Sequence, residues 1–293
     1  MTHIATLIGN STALDGALAK ARAALAGDEP LRLGPDAADI PFSPEPAADQ
    51  RRLAQHLRDL LNAPIDVVVQ PAAHRRKKLF LADMDSTMIG QECIDELADY
   101  VGLKAHVAAI TERAMRGEIA FEPALRERVA LLKDLKLAVV DEVIEKRITL
   151  TPGARTLVST MRANGAFACL VSGGFTLFTQ RIAAMIGFDE ARGNTLMLEG
   201  DHLTGGVAEP IFGRGAKRAT LLELRGRLGL APQEALAAGD GANDLDMILE
   251  AGLGVAYHAK PKVAEAAAAR IDHNNLTALL YVQGYRREEF VED

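Results

Sequence analysis

Apolar positions recur along the chain with two different periods, and the places where the period changes mark its organisation. Residues 4–8 form a short apolar run, after which Leu14, Leu18, Ala21 and Leu25 follow helical spacing and stop at Gly27. That pattern predicts a strand and then a helix. A loop with Pro41, Pro44 and Pro46 leads to a second helical stripe of Leu53, Leu57, Leu60 and Leu61, and to a strand at 65–70 ended by Pro71. Residues 1–72 therefore read as a small α+β domain. Past the basic stretch 74–78, apolar segments at 79–82, 166–171, 235–238 and 253–256 alternate with helical patterns. This predicts an α/β domain over 73–293, a doubly wound parallel sheet with helices on both faces. Ligands of such sheets bind beyond the strand ends. Between the first two of these strands, residues 91–149 carry helical periodicity and no strand signal, so they are expected to form an inserted helical cap.

Composition adds exclusions. A chain of 293 residues, 48% apolar and 25% charged, can bury a real core and suits about two domains rather than a disordered or low-complexity architecture. The 33 basic and 40 acidic residues leave a net charge of −7, the wrong sign for gripping a nucleic-acid backbone over a wide face. No apolar run approaches the roughly 18 residues that cross a bilayer. The start MTHIATLIGNST lacks the basic, hydrophobic and cleavage regions of an export signal, so a cytoplasmic location without a membrane partner is expected. Cys93 and Cys169 have neither zinc-binding nor redox spacing, and no disulfide is expected.

The chemistry gathers where the predicted core strands stop. After 79–82 come Asp83, Met84, Asp85, Ser86 and Thr87. Carboxylates two residues apart in extended chain point the same way and can face one crevice; alone, such a pair also suits a self-solvating loop or a helix cap. After 166–171 come Ser172, Gly173 and Gly174, a hydroxyl and unobstructed backbone N–H groups of the kind an anionic phosphoryl group needs, or else a plain glycine turn. Lys217 opens an apolar-periodic segment and can supply a point charge. After 235–238, Gly239, Asp240, Gly241, Ala242, Asn243 and Asp244 place two more carboxylates at a strand-to-helix turn. A calcium loop starting at Asp240 would need glycine where Leu245 stands. In the cap, Leu125, Val129, Leu132 and Leu135 define an apolar stripe into which Arg128 projects, while Arg126 and Glu127 point away. A guanidinium there needs an anionic partner, either a ligand or an acid of the cap.

Taken in order, Asp-x-Asp-x-Thr, a serine after a strand, a lysine and Gly-Asp-x-x-x-Asp resemble the four motifs of the haloacid dehalogenase superfamily. Within it, the phosphoserine phosphatase family is the most similar, through Glu92, Arg113 to Met115, Phe121, Glu122 and Ser172 to Phe175 besides the core motifs. The resemblance spans roughly residues 75–285. It implies a Mg²⁺-dependent phosphomonoester hydrolase that converts O-phosphoserine, a small-molecule substrate, to serine and phosphate through an aspartyl-phosphate. By that likeness Asp83 is the nucleophile and Asp85 the general acid and base. Lys217, Ser172 and the Gly173 amide hold the phosphoryl group, and Asp83, Asp240 and the Asp85 carbonyl bind Mg²⁺, with Asp244 behind them. Glu92 takes the substrate ammonium and Arg128 its carboxylate, Met115 and Phe121 close over it, and Asn243 also contacts it. For the N-terminal domain the pattern is compatible with a degenerate ACT-like fold, open to a packing or homodimer-forming role or to ligand sensing. Two other readings compete. A phospho-accepting receiver module shares the aspartate, hydroxyl and lysine but needs neither the helical insertion nor Asp85. A phosphotransferase, or a phosphatase for another small ester, shares every core motif.

Overall fold

The computed structural model describes residues 1–45, 48–116 and 118–292, with the side chain of Met115 outside that description. The first 71 residues fold as β1 (His3–Ile8), α1 (Ser11–Leu25), β2 (Leu31–Gly34), β3 (Ala37–Phe42), α2 (Gln50–Leu61) and β4 (Asp66–Pro71). Their antiparallel sheet has the order β2-β3-β1-β4, a βαββαβ unit. Asn10 and Asp49 cap the two helices by accepting backbone N–H bonds. The expected loop after Gly27 is instead the β2–β3 hairpin, and Pro41 lies within β3. A proline is tolerated there because the pairing with β2 starts only at Leu31 opposite Asp39, so residue 41 needs no N–H on that side, where its carbonyl accepts the Asp28 N–H.

Both faces of this sheet are covered. Ala5, Leu7, Ile40, Phe42, Val67 and Val69 pack under α1 and α2, whereas Ile8, Ala37 and Val68 join the core of the larger domain. The second face also carries polar groups that find partners in the larger domain. Arg75 pairs with buried Asp39 at 2.6 Å, and Asp66 accepts the backbone N–H groups of Asp272, His273 and Asn274.

The larger domain is built on β5 (Leu79–Ala82), β6 (Phe167–Phe175), β7 (Glu190–Asn194), β10 (Ala235–Gly239), β11 (Leu253–Tyr257) and β12 (Ala269–Ile271). The labels β8 (Leu196–Glu199) and β9 (His202–Val207) belong to a separate hairpin. The six-stranded sheet is parallel throughout, in the order β12-β11-β10-β5-β6-β7. Side-chain alternation supplies its two cores: Phe80 and Ala82 face one helical layer, Leu79 and Leu81 the other. The fold class is thus the doubly wound α/β sheet with a small extra domain that the apolar pattern predicts, with β7 and β12 added at its edges.

Between β5 and β6 lie α3 (Cys93–Asp99), α4 (Lys104–Met115), α5 (Phe121–Ala130), α6 (Ala138–Lys146) and α7 (Ala154–Ala163), the last packed on the sheet. Helix α5 stops at Ala130 rather than running to 135, although Leu132 and Leu135 remain buried in the turns that follow. Residues 91–149 hold α3 to α6, as the helical periodicity predicts, and the β8–β9 hairpin from outside that stretch docks on them, with Leu137 donating to the Asp201 carbonyl and Asp134 and Leu203 joining the same seam. Of the helices that follow, α8 (Thr176–Ile186), α9 (Arg214–Arg227) and α10 (Leu245–Glu250) come after β6, β9 and β10. Among the described residues, no helix is long and apolar enough to cross a membrane.

Candidate active site

The carboxyl ends of β5, β6 and β10 are neighbours in one sheet, so residues from three distant stretches of chain meet there. Asp83 follows β5, its backbone N–H tied to the Ala238 carbonyl at 2.9 Å. Ser172 and Gly173 lie near the carboxyl end of β6, and Asp240 follows β10 directly. Lys217, one turn into α9, is fully buried and donates to Asp83 at 2.5 Å and to Asp244 at 2.6 Å. The second oxygen of Asp244 accepts the backbone N–H groups of Asp240 and Gly241. Gly239 is required at this point: a Cβ there would lie 2.5 Å from the Asp244 carboxyl carbon. Thr87, in the first motif but without an expected role, donates to Asp240 at 3.1 Å.

Asp83, Asp240 and Asp244 each bring a carboxylate oxygen within 4.8 Å of the others, all buried. One ammonium cannot balance three such charges. Lys217 is held well above the ordinary lysine value: burial works to lower it, and Asp244 and then Asp83 overcome that effect. The carboxylates take the strain. Burial, followed by the Asp244 charge, pushes Asp83 far upward against the opposing pull of Lys217, and the same two causes push Asp240 up to about 7. With both oxygens of Asp244 already committed, the free acceptors are on Asp83 and Asp240. A cluster of hard oxygen donors that is short of positive charge fits a small divalent cation such as Mg²⁺.

Asp85 lies apart from this cluster. Its side chain accepts the Cys93 backbone N–H at 3.0 Å and meets the Ser172 hydroxyl at 3.3 Å. Burial raises it, and Cys93 opposes the rise. Ser172 in turn accepts the Gly174 N–H at 2.8 Å.

A cavity of about 260 Å³ opens over these groups. Asp83, Asp85, Ser172 and Gly173 line it from the core, and Glu92, Phe121 and Arg128 from the cap, with Asn243 beside them. Phe121 sits so close to the core that a Cβ on Gly173 would lie 2.8 Å from its ring. The Asn243 side-chain oxygen is buried and, among the described residues, has no hydrogen-bond partner. Glu92 is pushed well above the usual carboxylate range by burial and then by Asp85, although Ser86 donates to it at 2.6 Å. Arg128 is buried and, among the described residues, has no carboxylate within ion-pair distance, while Arg126 on the same helix turns outward to Glu209. Of the cap residues picked from sequence, Met115 has its side chain outside the described set. The cavity also includes Thr111, Arg214 and Lys262, which the sequence reading passed over. Nothing in the local pattern marked Thr111, whose place one turn beyond buried Val107 is set by the fold.

The cap is joined to the core on two sides. Gly90 donates to the Thr149 carbonyl where the chain enters and leaves the cap, and Glu112 of α4 pairs with Lys260 at 3.0 Å.

The haloacid dehalogenase-like hydrolases match residues 80–249. A phosphoserine phosphatase of Polaromonas sp. is 51% identical over 208 residues, which are 69% of this chain and 88% of that protein. Among solved structures, a HAD family hydrolase of Salmonella enterica serovar Typhi aligns with a TM-score of 0.85 at 31% identity, over 96% of this chain and 98% of its own. A phosphoserine phosphatase solved as a phospho-aspartyl intermediate analogue aligns with a TM-score of 0.67 at 39% identity, over 70% of this chain and 98% of its own.

Proposed function

Because the chain belongs to the haloacid dehalogenase-like hydrolase family, we propose that it hydrolyses O-phosphoserine to serine and phosphate, carrying the phosphoryl group on Asp83 between two half-reactions. The observation that carries this reading is a single small cavity with a phosphoryl-type lining on its core side and one acid and one unpaired guanidinium on its cap side. Those groups match the three charges of the substrate, a phosphate, an ammonium and a carboxylate.

In the first half-reaction an Asp83 oxygen attacks phosphorus, the bond from phosphorus to the serine oxygen breaks, and Asp85 protonates the departing alkoxide. In the second, Asp85 removes a proton from the water that attacks the aspartyl-phosphate, which frees phosphate and restores Asp83. The raised Asp85 carboxyl suits this alternation, since a group ionised far below neutrality would be a poor acid. Lys217 occupies one oxygen of Asp83 and leaves the other for attack. The Ser172 hydroxyl and the Gly173 amide are the donors for the phosphoryl oxygens. Asp83, Asp240 and the Asp85 carbonyl would hold Mg²⁺, whose charge would offset the repulsion between a carboxylate and a phosphate dianion, several kcal/mol at ~4 Å and an effective dielectric of about 20. On the cap side, Glu92 takes the ammonium and Arg128 the carboxylate, while Phe121 and Asn243 bound the space between.

The test is phosphate release from a panel of esters with and without Mg²⁺. O-phosphoserine should be preferred over O-phosphoethanolamine, which lacks the carboxylate, and over glycerol phosphate, which lacks both recognition groups. Equal rates on all three would overturn the substrate and leave the reaction class. Full activity in EDTA would overturn the metal.

A further inference from the structure

We propose that Thr111 and Asp95 are positioning residues for substrate selection: together they hold the Arg128 guanidinium in place through a one-hydroxyl relay and keep its remaining donors available for a carboxylate. This rests on the reading of Arg128 given above.

Three cap helices meet at this point. Arg128 comes from α5, Thr111 from α4 and Asp95 from the first turn of α3. Arg128 Nε donates to the Ala124 carbonyl one turn back at 3.0 Å, which fixes the stem of the side chain. Its Nη1 donates to Thr111 Oγ1 at 2.8 Å, and that hydroxyl donates onward to Asp95 Oδ1, also at 2.8 Å. The Thr111 oxygen must accept from Arg128, because a guanidinium can only donate, and its single proton is left for the nearer of its two acceptors, the Asp95 carboxylate. Arg128 and Thr111 are 5% and 4% exposed, so neither bond is traded freely with solvent.

A buried guanidinium needs negative charge nearby, yet a carboxylate bonded directly to it would take the donors a ligand requires. The relay meets both demands. Asp95 brings its charge within range while the hydroxyl keeps it one hydrogen bond away, and two of the five guanidinium donors are used by the protein. The Thr111 hydroxyl also lies 3.0 Å from the Val107 carbonyl of its own helix, so its position is set before any ligand arrives. Arg128 and Thr111 both line the cavity and Asp95 does not, as expected if Asp95 acts only through its neighbours. Holding the guanidinium in one orientation removes an ordering cost that a mobile arginine would meet on each binding event.

The experiment compares O-phosphoserine with O-phosphoethanolamine in steady-state kinetics of the full-length protein. Thr111→Val should raise KM for O-phosphoserine about tenfold, with kcat within about twofold and with kcat/KM for O-phosphoethanolamine unchanged within the same margin. Thr111→Ser, which keeps the hydroxyl, should restore the wild-type KM. Asp95→Asn keeps the shape and removes the charge, and should give a smaller loss confined to the carboxylate substrate; it also serves as the test if Thr111→Val fails to fold. Unchanged kinetics, equal losses on both substrates, or a Thr111→Ser variant no better than Thr111→Val would overturn the relay. A wild-type enzyme with no preference between the two esters would instead remove the Arg128 reading on which the relay depends.

Discussion

Replacing Lys217 with methionine isolates the charge balance at the base of the site. Methionine has similar length and no charge, so the change leaves Asp83 and Asp244 buried without their shared cation. Each contact, at 2.5 and 2.6 Å, corresponds to about 6 kcal/mol at an effective dielectric of about 20. Most of that is offset by the desolvation the ammonium no longer suffers, and breaking a buried pair of this kind costs about 3–5 kcal/mol net. In a domain of this size 1 kcal/mol moves Tm by roughly 2–4 °C, so the metal-free variant should melt about 10 °C below the wild type. Phosphate release should fall by at least about a hundredfold, since an oriented charge at the reacting carboxylate is lost. The variant should also respond more strongly to a divalent cation, because three clustered carboxylates then lose the ammonium that contacts two of them. Calorimetric melts in EDTA and in Mg²⁺, together with phosphate release, test all three effects. A Tm in EDTA within about 2 °C of the wild type, or a Mg²⁺-induced rise no larger than the wild type's, would refute the charge argument.

Asp83→Asn should abolish turnover and acid-stable labelling by radioactive substrate, because an amide oxygen does not displace an alkoxide from phosphorus; retained labelling would move the nucleophile elsewhere. Arg128→Ala should raise KM for O-phosphoserine by on the order of a hundredfold, about 3 kcal/mol, and an unchanged KM would make Arg128 a purely structural residue. Lys77, buried against the carbonyls of His74 and Gln233, is pulled down to about 8 by burial and then by Arg75. Between about 8 and the unperturbed 10.5 the unfolded chain binds this proton more than the folded one does, so the group makes stability rise with pH across that window. Urea midpoints at pH 7.5 and 9.5 should show that gain in the wild type and a smaller one in Lys77→Met; equal gains would contradict the shift.

Local pattern sufficed for everything that repeats with a short period or sits within a few residues of a strand end. Leu79 to Ala82 reads as a strand because both of its faces are covered by helices, and Asp83 follows it directly, so the motif and its place in the fold were legible together. Arg128 stood out because a charge within an apolar helical stripe is anomalous without any partner in view. The β2–β3 hairpin was missed: β2 is short and half exposed, and Pro41 reads locally as a strand breaker, which stops being true because β2 begins only opposite Asp39 and asks no N–H of residue 41. The β8–β9 hairpin was missed as well, although the Gly200-Asp201 turn was visible; its strands Leu196–Glu199 and His202–Val207 do not alternate, and no local rule supplies that they dock on the cap.

Sequence alone determined the kind of chemistry available, because hydroxyls, carboxylates and an ammonium at strand ends are properties of residue type and order. Tertiary structure decided how those groups share charge. That Lys217 lies between Asp83 and Asp244, that Asp240 is left short of a counter-charge, and that Asp95 reaches Arg128 through Thr111 all depend on distances between segments tens to hundreds of residues apart. Electrostatic energy varies with separation and burial, and neither is written in the spacing of residues along a chain.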